Sequence, residues 1–182
     1  MDIDEIRHFE QLDQSLLKQI IRWSDEAFGR GYLAEEYLQT QMLNGVLLLV
    51  KNKEQASGVA LLLEQEQADL PELIRDKMNS DSKALYRKSL IVNPNFRGKG
   101  ISKALNKQIS ILAKSYHLVY SSLWNEGTPN RYETQLLNEG YIEAGRIDNY
   151  WRVDNVSRAF VCAACKKIPC SCSANIFYQL KP

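Results

Sequence analysis

The spacing of apolar residues predicts both helices and strands along this chain. Apolar side chains recur at helical spacing over 17–28 and again over 101–116, which is typical of helices with one buried face. Two short apolar runs, 45–50 and 58–63, lie on either side of a polar stretch, which is typical of an antiparallel hairpin. The first part of the chain is therefore expected to be a helical region that leads into paired strands.

The remaining elements follow from shorter patterns and from the residues that end them. Pro94 stops an apolar strand, and Thr128-Pro129 has the residues of a helix start. A hairpin followed by a strand–helix–strand unit predicts an α/β (α+β) sheet domain. The other predicted strands are 6–9, 84–92, 117–124, 141–145 and 174–180, and the other predicted helices are 33–43, 72–78 and one from Thr128 to just before Gly140.

The composition predicts one compact domain over residues 1–182. Of the 182 residues, 45% are hydrophobic and 25% are charged, which is enough for one sizeable core but not for two full domains. The net charge is only +1, so no overall field favours nucleic acid or an anionic membrane surface. The apolar run 46–50 is too short to span a bilayer, and the acidic start of the chain lacks the apolar core of a signal peptide. We expect a cytoplasmic protein.

The stretch 92–105, VNPNFRGKGISKAL, passes from an apolar strand through two glycines into a helix. Such a corner exposes unpaired backbone N–H groups beside the positive end of the helix dipole, and it attracts an anion. A Walker loop is excluded because Lys99 stands between the glycines. A dinucleotide fingerprint is excluded because Lys103 occupies the position that needs a small residue. An ordinary strand-to-helix turn remains as the alternative without a ligand.

Residues 88–116 resemble the acetyl-CoA-binding segment of the GNAT superfamily of N-acetyltransferases. The apolar strand, V-N-P, the run Phe96-Arg97-Gly98-Lys99-Gly100-Ile101 and then Leu105 match that segment in order. Ser102 departs from it, because the family usually has glycine or alanine there. The resemblance implies a GNAT-like fold with a mixed, largely antiparallel sheet flanked by helices. It also implies an enzyme that transfers an acetyl group from acetyl-CoA to a primary amine of a small molecule, a peptide or a protein.

Coenzyme A carries a pyrophosphate that suits this glycine corner. The glycines let the backbone come close, so that N–H groups of residues 98–102 can point at the phosphate oxygens, while Arg97 and Lys99 add positive charge. In the resembling family the pantetheine arm pairs with the preceding strand like an extra strand, and an N–H group there stabilises the oxyanion. The cofactor-binding residues that follow are Leu90, Ile91, Val92, Arg97, Gly98, Lys99, Gly100, Ile101 and Ser102.

The catalytic groups are less clearly marked. In the resembling family a tyrosine four residues before a G-[F/Y] pair often protonates the leaving thiolate, but Gly140-Tyr141 places Leu136 at that position. Tyr132 lies one helical turn earlier on the same face and is the substitute acid, although a tyrosine packed under the sheet is the alternative. Leu136 also favours a different class of protein, a non-catalytic acyl-CoA sensor or interaction module. The candidate bases are Asp148, Glu126 and, as our choice, Glu64.

All four cysteines lie close together near the end of the chain, in the pattern C-x2-C-x4-C-x-C. Four thiolates so near in sequence fit one tetrahedral zinc ion, and the site would be structural because it has no open ligand position. Disulfides, a redox pair or unliganded cysteines are the alternatives. The predicted zinc ligands are Cys162, Cys165, Cys170 and Cys172.

These cysteines lie in an insertion, 153–173, before the last predicted strand. We expect the zinc ion to pin this segment near the acceptor side, where Tyr150-Trp151 would line the pocket or pack in the core. A nucleic-acid finger is disfavoured, because Asp154 and scattered cations do not form a basic stripe. The expected partners are acetyl-CoA and an amine acceptor, without nucleic acid or membrane, and both a monomer and a homodimer remain open.

Overall fold

The computed structural model describes residues 2–53, 55–124 and 131–181, which form a seven-stranded sheet and five α-helices. The strands are β1 (Ile3–Ile6), β2 (Gly45–Asn52), β3 (Gln55–Gln65), β4 (Ala84–Val92), β5 (Leu118–Trp124), β6 (Ile142–Ile147) and β7 (Ala174–Leu180). The helices are α1 (Gln14–Phe28), α2 (Glu35–Gln41), α3 (Ile101–Leu112), α4 (Arg131–Asn138) and α5 (Arg152–Arg158). No helix in these ranges has the length and apolar character needed to cross a bilayer.

The sheet is mixed and largely antiparallel, as predicted. Its strand order is β1-β2-β3-β4-β5-β7-β6, and only the β4–β5 pair among the described strands is parallel. That pair is short, because 84–87 pairs with 118–121 and the described pairing stops there. Beyond this point the two strands separate, and a cleft opens in the middle of the sheet.

Each face of the sheet carries its own apolar core. Leu17 and Ile20 of α1 are buried on one face, and Leu105 and Ile109 of α3 are buried on the other. Because both faces are covered, β2 and β3 bury nearly every residue of their central stretches. This explains why the sequence shows continuous apolar runs there, and the predicted hairpin is confirmed.

Some elements differ from the predicted pattern. The helix predicted over 72–78 is wrong, because a single 3-10 turn, Arg75–Lys77, lies there. The side chain of Gln67 donates to the carbonyl oxygens of Arg75 at 3.2 Å and of Met78, so a side chain pairs with this backbone. The first strand lies at Ile3–Ile6 instead of 6–9, and α5 was not predicted. The predicted start of α4 at Thr128-Pro129 lies outside the described residues.

Candidate active site

The separation of β4 and β5 opens a cavity of about 160 Å³. Lys88 and Leu90 line it from β4, so one of the predicted pantetheine-binding residues faces this space. Tyr132 of α4, the predicted acid, also lines it. Aromatic side chains form much of the remaining wall, namely Phe28, Tyr32, Trp124 and Trp151.

The second half of β4 has an open edge. Leu90, Ile91 and Val92 pair with β3, whereas the described pairing with β5 ends at Arg87. Ile91 packs in the apolar core, and its neighbours Leu90 and Val92 are half-buried. The backbone groups on the β5 side of this stretch can therefore receive an extended ligand as an added strand.

The glycine corner follows directly after this open edge. Gly98 and Gly100 both have left-handed backbone conformations, with φ of 76° and 79°, which glycine adopts without strain. A Cβ atom built on either glycine would meet no described atom within 4 Å, so both face open space. Among the described residues, no group accepts a hydrogen bond from the backbone N–H groups of 98–102. The corner thus presents donors to a space that a pyrophosphate fits.

The start of α3 is held close against the sheet. A Cβ atom at Gly58 in β3 would lie 2.4 Å from Cγ2 of Ile101, so a glycine is needed there for the helix to begin at this distance. The Ile101 side chain is itself buried, and it packs into the core below α3. Of the predicted cofactor-binding residues, Ile101 can therefore offer only its backbone to a ligand.

The charged side chains of the corner remain exposed. Nζ of Lys99 lies 4.7 Å from the ring centroid of Phe96, and Arg97 lies beside it in the chain. Ser102 is half-buried, and its Oγ accepts a hydrogen bond from Nδ2 of Asn106 at 3.4 Å. The side chains of Arg97 and Lys99 are thus available to a phosphate. The contact between Ser102 and Asn106 holds the first turn of α3 in place.

Arg87 holds the hydroxyl group of Tyr132 in place. The guanidinium of Arg87 is buried, and its Nη2 donates to the Tyr132 hydroxyl at 2.6 Å. The same guanidinium donates to the Tyr141 hydroxyl at 2.8 Å, to Oδ1 of Asn106 and to the Glu139 carboxylate at 3.5 Å. Burial raises the pKa of Tyr132, and the positive charge of Arg87 opposes this rise. Tyr132 is therefore a neutral phenol at the cavity wall, which is the form that a proton donor needs.

Leu136 and Glu64 lie away from this constellation. Leu136 is fully buried in the core below α4, so it offers no polar group to the cavity. The carboxylate of Glu64 accepts a hydrogen bond from Lys83 and lines a different cavity, together with Tyr116. The structure therefore does not bring Glu64 together with Tyr132, and the role of Glu64 as a base stays a prediction.

The two alternative bases are no better placed. Asp148 is exposed and does not line the β4–β5 cavity. Its carboxylate accepts hydrogen bonds from Ser173 at 2.7 Å and from Arg146 at 2.8 Å, and these contacts lower the pKa of Asp148. Glu126 lies outside the described residues. The described part of the chain thus places no carboxylate in the cavity lining.

The four cysteines form one compact cluster. Their sulfur atoms all lie within 4.8 Å of one another, with Cys162 and Cys172 at 3.7 Å and Cys165 and Cys170 at 3.6 Å. Four thiolates about 2.3 Å from a central zinc ion would stand about 3.8 Å apart, whereas a disulfide needs about 2.05 Å. The spacing therefore fits a tetrahedral metal site and not a pair of disulfides.

The cysteine cluster is tied to both helical walls of the cavity. Val161 N donates to the carbonyl of Arg30 at 2.9 Å, and a Cβ atom at Gly29 would lie 1.8 Å from the Val161 carbonyl oxygen. On the other side, Oδ1 of Asn155 in α5 accepts a hydrogen bond from the Cys170 N–H at 2.7 Å. The cluster therefore fixes the turn after α1 and the helix α5, whose neighbours Phe28, Tyr32 and Trp151 line the cavity.

Lys88, which sequence reasoning missed, lies on the same face of β4 as Ala84 and Tyr86, as the alternation of a strand requires, and this is the α1 face of the sheet. Leu61 pairs with Ser89 and Leu62 pairs with Arg87, so β4 carries Lys88 as one extra residue at a β-bulge. The bulge resets the alternation of β4, because Ile91 and not Leu90 then packs on the Tyr86 face. The available signal in the sequence was a pair of adjacent cations, Arg87 and Lys88, within a mostly apolar strand.

Lys88 is buried in a box of tyrosine rings. Its side chain is only 6% exposed, and Asp154 approaches its ammonium group at 4.0 Å. Burial lowers the pKa of Lys88 to about 8, and Asp154 acts in the opposite direction. Its Nζ lies 5.3, 5.2 and 5.8 Å from the ring centroids of Tyr32, Tyr37 and Tyr86.

No protein-family model and no curated protein matches this sequence. Solved structures match it over nearly its whole length. Arabidopsis thaliana NAA60 in complex with a bisubstrate analogue is 13% identical over 99% of this chain and 98% of that chain, with a TM-score of 0.72. The same protein in complex with acetyl-CoA is 13% identical over 98% of this chain and 99% of that chain, with a TM-score of 0.68. Ribosomal-protein-alanine N-acetyltransferase from Brucella melitensis is 15% identical over 99% of both chains, with a TM-score of 0.62.

These structures share one architecture with this chain, although few of their residues are the same. The residues of the glycine corner had already indicated that architecture from the sequence. The chain has the fold of the GNAT superfamily of N-acetyltransferases.

Proposed function

We propose that this chain is an acetyl-CoA-dependent N-acetyltransferase that acts on a primary amine, with residues 1–182 as one catalytic domain. One observation carries the proposal: within the described ranges, the open edge of β4 leads directly into unpaired N–H groups at 98–102. An extended arm that ends in a diphosphate fits this arrangement, and coenzyme A has that shape. The solved complex of the structural neighbour NAA60 with acetyl-CoA supports the same donor.

The reaction needs a neutral amine that attacks the thioester carbonyl carbon. A carbon–nitrogen bond forms, the carbon–sulfur bond breaks, the sulfur leaves as the CoA thiolate, and the nitrogen loses one proton to water. In the proposed mechanism Tyr132 gives its phenolic proton to the thiolate. Arg87, which donates to the Tyr132 hydroxyl at 2.6 Å, stabilises the phenolate until solvent returns the proton.

Replacing Tyr132 with phenylalanine tests this role. We expect kcat to fall by about 100-fold, because the thiolate then leaves without a positioned acid, while the Kd for acetyl-CoA stays within about threefold. The measurement is the rate of CoA release with a saturating amine. Tyr141→Phe is the matched control, since it also removes a hydroxyl that Arg87 contacts, at 2.8 Å, but Tyr141 does not line the cavity. Equal losses in both variants would show that Tyr132 acts only through the packing of Arg87.

The activity itself is tested by mixing the protein with acetyl-CoA and a broad panel of primary amines, with free thiol as the readout. Release of CoA above the rate of hydrolysis, with formation of the acetylated amine, is the expected result. The second candidate, an acyl-CoA sensor, is favoured by the apolar Leu136 at the position where the family usually has its acid. A sensor would bind acetyl-CoA but release no CoA with any amine.

We also propose that the cysteine cluster binds one structural zinc ion. The four sulfur atoms supply the donor set that zinc prefers, and their mutual distances agree with tetrahedral coordination. Bound there, zinc would contribute folding energy and no chemistry, because four thiolates leave no ligand position for substrate. Zinc would affect function only indirectly, by holding the turn after α1 and the helix α5 in the positions that shape the cavity.

A further inference from the structure

The β4–β5 cavity contains hydrogen-bond donors that the proposed mechanism does not use. In the described ranges, no group accepts a hydrogen bond from Nζ of Lys88, whose closest ion-pair partner, Oδ2 of Asp154, is 4.0 Å away. Nε1 of Trp124 is buried and has no hydrogen-bond partner in the same ranges. Both residues line the cavity. Buried donors without acceptors cost free energy, so a ligand that supplies acceptor oxygens would be favoured.

Asp154 does not neutralise Lys88, because it is already paired. Its two carboxylate oxygens accept hydrogen bonds from Arg158, at 2.5 Å to Nε and 2.6 Å to Nη2. This is the bidentate geometry that an arginine–carboxylate pair prefers. The group of Lys88, Asp154 and Arg158 therefore keeps one positive charge in excess, and that charge lies beside the cavity.

The rest of the lining has the same electrostatic character. It includes Lys88 and also Arg87, whose charge is balanced by Glu139 at 3.5 Å, and among the described residues it includes no carboxylate. A cationic group would be repelled there, whereas a carboxylate would pair with Lys88 at low local dielectric. Burial lowers the pKa of Lys88, and a bound carboxylate would favour its ammonium form. Phe28 and Trp151 add a wall that suits an apolar or aromatic side chain.

We propose that the acceptor is an amino acid with an apolar or aromatic side chain, and that Lys88 binds its carboxylate with the Trp124 N–H as a second donor. The proposal rests on the acetyltransferase function above and narrows its acceptor class. A carboxylate held by Lys88 fixes the neighbouring amine relative to the thioester, and the nearby positive charge favours the neutral amine that must attack.

The experiment compares each of the common L-amino acids with its own amide. The amide keeps the amine and the side chain but lacks the charge, and it also represents a peptide N-terminus. With the wild-type protein and acetyl-CoA, we expect kcat/KM for at least one apolar or aromatic amino acid to exceed that of its amide by about tenfold or more, because a charge-assisted contact is lost in the amide.

Substitutions at Lys88 test whether its charge causes the preference for an amino acid over its amide. In Lys88→Met the acid-to-amide ratio of kcat/KM is expected to fall to about one, and in Lys88→Arg part of the ratio is expected to return. Lys51→Met is the matched control, because Lys51 is an exposed lysine of β2 that pairs with Asp4 and does not line the cavity. Lys88→Met should also melt at a higher temperature than the wild type at pH 7, since it removes a buried charge. That shift shows that the variant is folded.

The possible outcomes separate this proposal from the broader one. If no amino acid is used better than its amide, or if Lys88→Met keeps the wild-type ratio, the carboxylate proposal is overturned. Release of CoA with the amides would then leave the acetyltransferase function intact. If acetyl-CoA itself fails to bind, the acetyltransferase function fails first, and the carboxylate proposal falls with it.

Discussion

Replacing Gly100 with valine is expected to weaken acetyl-CoA binding by about 100-fold or more. Gly100 has φ of 79°, which a β-branched residue adopts only with strain. Its Cβ position faces open space in the structure, and that space is where the proposed pyrophosphate lies. Valine would therefore both distort the corner and occupy the ligand's place, so the N–H groups of 98–102 would lose their contacts.

Titration calorimetry with acetyl-CoA measures the effect, and Gly140→Val is its matched control. Gly140 has φ of 83° after α4, so valine there meets similar backbone strain, but it lies far along the chain from the glycine corner. Both variants should lose thermal stability, Gly140→Val at least as much because its Cβ atom would also lie 3.2 Å from Nε2 of Gln179, and only Gly100→Val should lose affinity. Unchanged affinity in a folded Gly100→Val protein would refute the placement of the pyrophosphate.

Removing zinc is expected to lower the rate of acetylation by about 100-fold while acetyl-CoA still binds. The cysteine cluster holds the turn after α1 through Val161 and holds α5 through Asn155. Both elements carry side chains of the cavity wall, and misplacing them by about 1 Å can cost about 100-fold in rate. The glycine corner packs instead against β3 at Gly58, so the Kd for acetyl-CoA should change by less than about threefold.

The measurement combines metal analysis, CoA release and calorimetry on protein before and after chelation. One zinc ion per chain is expected before treatment, and returning zinc should restore the rate. Cys162→Ser should reproduce the chelated state, because its sulfur is one of the four donors. A zinc content well below one per chain in untreated protein would contradict the metal site. If chelation weakened acetyl-CoA binding as much as it lowered the rate, the idea that zinc acts only on the acceptor side of the cavity would be contradicted.

The sequence was most informative where local signals agreed. The strand Ala84–Val92 was predicted to the residue. Its apolar run ends at Val92, and Pro94, two positions later, cannot continue a strand. The last strand, Ala174–Leu180, was predicted equally well from its alternation. Residues 98–100 were assigned to a ligand-binding corner because the preceding strand, the proline, the two cations and the following helix stand in register around the glycines.

Tertiary structure decided what the sequence did not show. Helix α5 has only seven residues, and its two valines, Val153 and Val156, are exposed, so no apolar face marks it in the sequence. Lys88 could not be assigned to the cavity because the cavity opens only where the pairing of β4 with β5 stops, and the sequence does not show where that pairing stops. The contact of Glu64 with Lys83 depends on the register of β3 against β4, so the sequence could not show that this candidate base is paired with a lysine and lines another cavity.

The central claim is that the glycine corner binds the diphosphate of the acetyl donor. The most direct test is to titrate the protein with acetyl-CoA and, separately, with S-acetyl-pantetheine, which lacks the diphosphate and the nucleotide, and to compare the two affinities by calorimetry. We predict one acetyl-CoA site per chain and binding of the truncated donor that is weaker by about 100-fold or more. Equal affinity for the two donors, or no heat with acetyl-CoA and folded protein, would contradict the account.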